Sequence, residues 1–409
     1  MLIAGEASGD MLAAELVRAL RQALPEMGAG PTTDCQPLHA SLEPRFFGAG
    51  GPQMAAAGVE LALDMTAHSV IGLSEALRNY LKFRRLFHQL FQLALERQPD
   101  AIICVDFSGF NRRFAHAIRQ YTRARADWFH DWNPKIIQYV SPQVWASREG
   151  RAYQMARDYD LVLSIFPFEK AWYAKRVPQL RVEFIGHPIA ERYGGVRGGL
   201  REGRRDLATP MVLLLPGSRP DELRRHLPVM LDALGLMRAK LPNLRAQMVL
   251  LNAVLVQQAK AFNLPAHLQV QTADLPKALA EADVAIASTG TVTTECAYFG
   301  VPTVALYKTS WSTWQIARRI VKVKYGAMPN LLADEEIFPE FIQDAATPEN
   351  LARAALELLR DEARRAKVKA RLADIVAALG GPGATRHAAQ AIVATLKATA
   401  GPVQESTRS

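Results

Sequence analysis

Short, fully apolar runs alternate along this chain with longer stretches of helical periodicity, and the alternation comes in two series. The apolar runs predict strands at Met1–Ala4, Ala101–Val105, Ile136–Val140, Leu161–Ile165, Val212–Leu215, Ala246–Leu250, Val284–Ala287 and Thr303–Leu306. Stretches such as Met11–Ala23 and Ser74–Arg97 predict helices between them. Strands with no polar face, each followed by a helix, belong in parallel sheets covered on both sides. The Gly- and Arg-rich segment His187–Pro210 reads as a connection, and a second βα series starts directly after it. The pattern therefore predicts the α/β class, with two doubly wound domains facing a cleft, residues 1–190 and 191–379. "GGPGAT" (Gly380–Thr385) breaks the chain before a last amphipathic helix, which is expected to end near residue 400 and to pack back across the domains. Residues 401–409 read as a disordered tail.

Composition narrows the class. A chain of 409 residues that is 49% hydrophobic is globular and too long for one comfortable core. No run approaches the ~20 apolar residues of a membrane span, and "MLIAGEASGD" lacks the layout of a secretion signal. Cys35, Cys104 and Cys296 are far apart and without CxxC spacing, which fits a reducing compartment and no zinc site. The expectation is a soluble, cytoplasmic protein. Its net charge of +9 raises the question of an anionic partner. Basic residues interleaved with aromatics in a nucleic-acid-binding signature are lacking, so no nucleic acid is expected. The basic residues gather instead at Arg78–Arg85, Arg197–Arg205 and Arg318–Lys324.

In doubly wound sheets ligands sit beyond the carboxyl ends of the strands, so the loops there carry the candidate chemistry. "GEASGD" (Gly5–Asp10) follows the first strand but has neither dinucleotide-binding nor P-loop spacing. Glu6, Ser8 and Asp10 suit contact with hydroxyls, and a tight βα turn capped by Ser8 or Asp10 would use the same residues. "PGSR" (Pro216–Arg219) is the better anion site. Gly217 admits close approach of the backbone, Ser218 and the following helix amides can bind phosphate oxygens, and Arg219 adds a charged fork suited to a diphosphate. "STGTVTTECA" (Ser288–Ala297) repeats that logic with Ser288, Thr289, Gly290 and Thr291, and Glu295 is placed to accept both hydroxyls of a ribose. Two anion loops and an acid in one half point to a nucleoside diphosphate. In the other half "VDFSGFN" (Val105–Asn111) puts Asp106 at a strand's carboxyl end, as a candidate general base or a helix cap. "DYD" (Asp158–Asp160) has the spacing of a metal-holding pair but precedes its strand, so no metal site is read there.

The stretch Ser74–Gln98 carries more apolar bulk than one buried stripe needs, including Leu77, Tyr80, Leu81 and Phe87, beside Arg84 and Arg85. A basic helix with such a face suits an anionic membrane surface or acyl chains, and an ordinary core helix is the competing reading.

Taken together, "IAGEASGD", "GAGGPQM", "VIGLSEAL", "YVSPQVWA", "PFEKAWY", "FIGHPIAE", "LLPGSRPDE", "ASTGTVTTE" and "MPNLL" occur in family order and resemble the lipid-A-disaccharide synthases, metal-independent glycosyltransferases of the two-domain GT-B type. The resemblance runs from residue 3 to about residue 332. It implies an N-terminal acceptor and lipid domain and a C-terminal UDP-sugar domain. It also implies transfer of 2,3-diacylglucosamine from UDP-2,3-diacylglucosamine to 2,3-diacylglucosamine 1-phosphate (lipid X), with UDP released and no cofactor or metal. It implies, further, peripheral association with the cytoplasmic face of the inner membrane, and a homodimer with exchanged C-terminal parts. The essential aspartate falls on Asp106, the essential arginine on Arg219, the acid of the nucleotide loop on Glu295, and the "PN" asparagine on Asn330.

Departures fall on the acceptor side. The family pattern Asp-Ala-Pro-Asp-Phe-Asn is Asp106-Phe107-Ser108-Gly109-Phe110-Asn111 here, losing the second acid and gaining a bulky Phe107. "RARADWFHDWNPK" (Arg123–Lys135) reads as an extended, aromatic form of a usually shorter connection. The chain starts so close to "IAGEASGD" that the first strand reads as clipped by a misplaced start. Two alternatives stay open: another UDP-sugar enzyme of this architecture, such as a 2-epimerase, and a non-catalytic or acceptor-altered UDP-sugar- or lipid-binding paralogue.

Overall fold

The computed structural model describes residues 1–24, 44–65, 80–127, 130–197, 209–272 and 274–398. The chain divides into two compact units, Met1–Pro188 with Pro382–Ser409, and Ile189–Gly381. The predicted tail, 401–409, lies outside the described residues, as do 198–208 of the predicted connection.

Unit 1 is built on seven strands, β1 (Leu2–Ala4), β2 (Phe47–Gly50), β3 (Glu60–Asp64), β4 (Ala101–Val105), β5 (Lys135–Tyr139), β6 (Leu161–Ser164) and β7 (Val182–Phe184). They form one parallel sheet in the order β3-β2-β1-β4-β5-β6-β7. Central strands such as β1 and β6 are buried along their whole length, which is why they read as unbroken apolar runs. Helix α1 (Ala7–Ala23) follows β1 and buries Leu12, Leu16, Val17 and Leu20. Helix α2 (Pro52–Ala56) follows β2, α3 (Tyr80–Arg97) precedes β4, and α4 (Ser108–Ala124) follows it. Leu86, Leu90 and Ala94 of α3 are buried beside Phe110 and Phe114 of α4. The final helix, Ala384–Lys397, returns to this unit. It packs against α1 and adds Ala388, Ala389, Ile392 and Val393 to the core.

Unit 2 carries six parallel strands, β8 (Met211–Leu215), β9 (Arg245–Val249), β10 (Leu268–Gln271), β11 (Val284–Ser288), β12 (Thr303–Tyr307) and β13 (Glu340–Ile342), in the order β10-β9-β8-β11-β12-β13. Helices α5 (Pro220–Lys240), α6 (Thr291–Tyr298) and α7 (Trp311–Ile320) follow β8, β11 and β12. In both sheets the direction of build-up reverses at the first strand, between β1 and β4 in one and between β8 and β11 in the other. Loops leaving the two neighbouring strands there diverge to opposite faces and open a crevice. "GEASGD" and "VDFSGFN" flank that point in unit 1; "PGSR" and "STGT" flank it in unit 2. No described helix is long and apolar enough to cross a membrane.

The motifs "YVSPQVWA" and "PFEKAWY" meet inside unit 1. Trp145 Nε1 donates to Glu169 Oε1 at 2.9 Å, and the carboxyl group is wholly buried. Burial pushes Glu169 up to about 7 from 4.5, against the opposing pull of Trp145 and the Phe166 amide. The folded chain then holds this proton across a window in which the unfolded chain has released it. Stability should therefore fall as pH rises from about 4.5 to about 7 and level off above. Glu169→Gln keeps an acceptor for Trp145 and should flatten that slope, by up to roughly 3 kcal/mol across the window. Denaturant melts of both proteins at pH 5 and pH 8 measure it, and equal slopes would overturn the assignment.

Candidate active site

Unit 1 contributes a carboxylate held in an unusual backbone. Asp106 leaves β4 with φ 46° and Phe107 follows with φ 43°, two consecutive non-glycine residues in the left-handed region. Neighbours over-determine this turn. The Asp106 amide donates to Tyr139 O at 2.9 Å, and its carbonyl accepts from Asn111 Nδ2 at 2.9 Å and from the buried Gln138 Nε2 at 3.3 Å. The Phe107 ring lies flat on Gly5, where any Cβ would come within 2.3 Å of it, and stacks on Phe110 at 5.7 Å. The close approach therefore requires glycine at position 5. Burial raises the Asp106 carboxyl above the usual carboxylate range, and the nearby Glu6 charge raises it further, opposed by the Phe107 amide. A half-buried carboxyl group with a raised proton affinity suits a general base.

The other predicted residues of this unit divide. Glu6 and Ser8 are exposed at the start of α1, beside Asp106's strand end. Asp10 is buried and accepts from the amides of Gly51, Gln53 and Met54 at 2.8–3.0 Å. It therefore caps α2 and ties "GEASGD" to "GAGGPQM", rather than meeting a hydroxyl or capping its own helix. Gly109 is exposed, with open space where a side chain would project. The extended connection Arg123–Lys135 runs from the end of α4 to the start of β5. Its described residues therefore lie toward the amino ends of the strands, whereas Asp106 stands at a carboxyl end. There Arg119 donates to Asn133 Oδ1 at 2.7 Å and to Asp160, and a cavity of about 960 Å³ is lined by Arg119, Asp131, Trp132 and Asp160. That placement sets the described part of the extension apart from the strand ends that carry Asp106. Asp158 pairs with His116 and Asp160 with Arg119, so both acids of "DYD" serve as partners for bases.

Of the predicted membrane or acyl contacts, Leu77 lies outside the described residues, and so do the side chains of Tyr80 and Leu81. Arg84 and Arg85 are exposed on α3. Phe87 points the other way. Its ring packs edge-on against Phe110 and Phe114, each at 5.6 Å, so it belongs to the aromatic core.

In unit 2, β8 runs into Pro216-Gly217-Ser218-Arg219 and then α5. Gly217 has φ 121°, and a Cβ there would sit 2.5 Å from Glu222 Oε2. The Ser218 amide donates to Glu222 Oε2 at 3.0 Å. Glu222 Oε1 also lies 3.3 Å from Arg219 Nη1, while the Arg219 side chain stays 72% exposed. The anion position is thus guarded by the chain's own carboxylate, with Arg219 presented to solvent. His226, wholly buried, fixes the loop from below. Its Nε2 accepts from the Lys308 amide at 2.9 Å, which leaves the proton on Nδ1 to donate to Pro216 O at 2.8 Å. Burial lowers its pKa, in keeping with a neutral strut between the ends of β8 and β12.

The loop after β11 leaves Ser288 buried, Thr289 half-buried, and Gly290 and Thr291 exposed on the rim. Thr293 Oγ1 donates to Gly290 O at 2.6 Å and accepts from the Met328 amide, fixing the rim's shape. Glu295 accepts from Tyr193 Oη at 2.7 Å, and burial raises its pKa. Asn330, expected to bind substrate, has its side-chain amide committed within the fold. Its Nδ2 donates to Phe338 O and Glu340 Oε1, and its Oδ1 accepts from the Ile337 and Phe338 amides, so its whole amide is spent on the loop before β13. His226, Tyr193 and Gln138 were missed because each acts through partners distant in sequence, and Glu222, whose partners Ser218 and Arg219 are local, was passed over. Only the acid of "PGSRPDE" stood in a motif already noted.

Comparison with known proteins bears on what this geometry serves. The family model described as Lipid-A-disaccharide synthetase matches residues 1–394. Lipid-A-disaccharide synthases of Trichlorobacter lovleyi and Anaeromyxobacter dehalogenans are 33% and 34% identical, with 97% of this chain and 97% of each relative covered. That of Alkalilimnicola ehrlichii is 34% identical over 96% of this chain and 97% of its own. Among solved structures, the glycosyltransferase of kitacinnamycin aligns with a TM-score of 0.58 at 20% identity, covering 95% of this chain and 97% of that one. UDP-GlcNAc 2-epimerase from Neisseria meningitidis aligns with a TM-score of 0.53 at 9% identity, covering 97% and 99%. Those likenesses extend to the fold and no further, whereas the family match and the curated relatives do not favour the epimerase alternative. With the family model matching nearly the whole of its length, the chain belongs to the lipid-A-disaccharide synthase family of GT-B glycosyltransferases.

Proposed function

We propose that this hexosyltransferase joins its UDP-sugar donor to its lipid acceptor with Asp106 as general base and Arg219 as the group that stabilises the departing UDP. Asp106 takes the proton from the 6-hydroxyl of 2,3-diacylglucosamine 1-phosphate as that oxygen attacks the anomeric carbon of UDP-2,3-diacylglucosamine. Attack from the face opposite UDP inverts the configuration, with an alcohol in the place water takes in inverting glycoside hydrolysis. The Arg219 fork bears on the diphosphate as its leaving oxygen gains charge. Ser288, Thr289, Gly290 and Thr291 form the rest of the anion rim, and Glu295, oriented by Tyr193, receives the ribose hydroxyls. The reaction is proposed to need no metal or cofactor, so it should persist in EDTA. Arg84 and Arg85 on α3 are proposed to meet the anionic cytoplasmic face of the inner membrane, where the acylated substrates reside. Homodimer formation is proposed on family membership alone.

The observation that carries this reading is the Asp106 carboxyl, raised by burial and by Glu6 at the switch point of its sheet. The base must be ionised to act, so kcat/KM should fall as pH drops through a value above the ordinary carboxylate range. Asp106→Asn should lose roughly 10²–10⁴-fold in kcat and abolish that acid limb. Glu6→Gln removes a like charge and should move the limb to lower pH. Disaccharide 1-phosphate measured by mass spectrometry across pH 4–9 reads all three, and near-full turnover by Asp106→Asn would sink the base assignment.

Arg219→Ala should cost about 10²–10³-fold in kcat with an unchanged melting temperature, since the side chain is largely exposed. Arg219→Lys keeps a charge but lacks the fork, and should recover only part of the loss. Full activity in either variant would remove Arg219 from the mechanism.

A further inference from the structure

Four arginines that no single stretch of sequence brings together gather on the Asp106 side of unit 1. Arg112 and Arg113 stand in the second turn of α4, within about 8 Å of its start by helical rise. Arg148 and Arg151 come from the chain that leaves β5 through "YVSPQVWA". Arg151 opens the helix Arg151–Asp158, and its amide donates to Arg148 O at 3.0 Å. That helix packs on α4, and Arg112 Nη1 donates to Gln154 Oε1 across the contact. Because β4 and β5 are parallel neighbours, both segments leave the sheet at the carboxyl ends, where Asp106 stands. Asn111, directly before Arg112, is a residue that holds the Asp106 carbonyl.

This cluster carries charge that the fold does not balance. Among the described residues none of the four forms an ion pair; Glu149 pairs with Arg176, and Asp158 with His116. Arg113 and Arg148 are exposed, Arg112 and Arg151 half-buried, and Arg112 Nε is buried with no hydrogen-bond partner. Burial lowers the proton affinity of Arg151, and the charges of Arg112, Arg148 and Arg113 lower it further. Neither α4 nor the helix Arg151–Asp158 has an acid in its first turn, so the positive ends of two helix dipoles add to the same field. An anion among these groups would turn their mutual repulsion into attraction.

We propose that Arg112, Arg113, Arg148 and Arg151 form the subsite for a phosphate monoester, the 1-phosphate of the acceptor whose 6-hydroxyl meets Asp106. The identity of that acceptor rests on the function proposed above. A phosphate monoester brings about two negative charges and three acceptor oxygens, which several guanidinium forks can share. The 6-hydroxyl and the 1-phosphate project from opposite sides of one sugar ring. A group that holds the phosphate must therefore stand close to the base and on the same body, as Arg112 does. Such a subsite sets which way round the ring enters and makes the 1-phosphate a recognition element.

The test compares two acceptors in detergent with the full chain, 2,3-diacylglucosamine 1-phosphate and the same sugar without its phosphate. Arg112→Gln and Arg151→Gln should each lower kcat/KM for the phosphorylated acceptor by roughly tenfold to a hundredfold, as for loss of a charge-assisted hydrogen bond. The value for the other acceptor should not change. Arg151→Lys should recover part of the loss, and Arg148→Gln, at an exposed position, should show a smaller loss in the same direction. The melting temperature of Arg151→Gln should hold or rise, because a repelled charge is removed. Binding of the phosphorylated acceptor without donor, measured by thermophoresis, should weaken by the same factor. That arm reads the subsite even where no disaccharide forms and the base assignment has failed. Equal losses for the two acceptors, or unchanged binding, would overturn the proposal. So would a response confined to UDP binding or to co-sedimentation with phosphatidylglycerol vesicles, because the anion would then be the donor's diphosphate or a bilayer diester.

Discussion

The chemistry of this chain depends on one topological constraint, the reversal in strand order beside the first strand of each sheet. A parallel sheet wound in one direction would cover its strand ends with successive crossovers. Reversal makes the loops after β1 and β4, and after β8 and β11, turn to opposite faces, leaving an opening between neighbouring strand ends. The residues proposed to handle substrate gather at those two openings: Glu6 and Asp106 in unit 1, Arg219, Glu295 and the Ser288–Thr291 rim in unit 2. The strands themselves carry almost no chemistry. Their apolar burial is what makes the loop positions rigid enough to use.

Legibility in the sequence followed burial. All eight expected strands exist within a residue or two of their expected ends, because central parallel strands are apolar throughout and no other element of that length is. The five missed strands lie at or next to sheet edges. β3 alternates exposed and half-buried residues, β13 is half-buried throughout, and β2 reads Phe-Gly-Ala-Gly. Site residues followed a different rule. Loop positions fixed by local chemistry, such as Gly217 and Asp106, were readable from their neighbours in sequence. Residues whose role is set by a distant partner were not. Nothing in "MPNLL" tells that Asn330 is consumed by the chain around Phe338, and nothing in the Phe87 stretch tells that Phe110 and Phe114 wait across the interface between α3 and α4. Tyr193 was hidden because it lies in a stretch read as a linker.

Phe107 illustrates how a departure from a family pattern can be absorbed. A large ring at the turn beside Asp106 would be expected to crowd the space around its carboxyl group. Here it lies instead on the bare backbone of Gly5 and against Phe110, so its bulk is spent on holding Asp106 in a strained conformation. The missing second acid at Gly109 leaves open space beside the same turn. The departures therefore alter volume and charge in the turn after Asp106 while its backbone support stays intact.

The return of the helix Ala384–Lys397 to α1 has a consequence for how the protein is made. Unit 2 is one continuous stretch of chain, whereas unit 1 is discontinuous, its first and last segments joined only through packing. On the ribosome, the first 188 residues emerge long before their closing helix. The surface of α1 that Ala388, Ala389, Ile392 and Val393 cover stays bare until the last residues of the helix leave the exit tunnel. The unit that begins translation is thus the last to be finished, and through that interval α1 presents an apolar stripe open to any chaperone in reach.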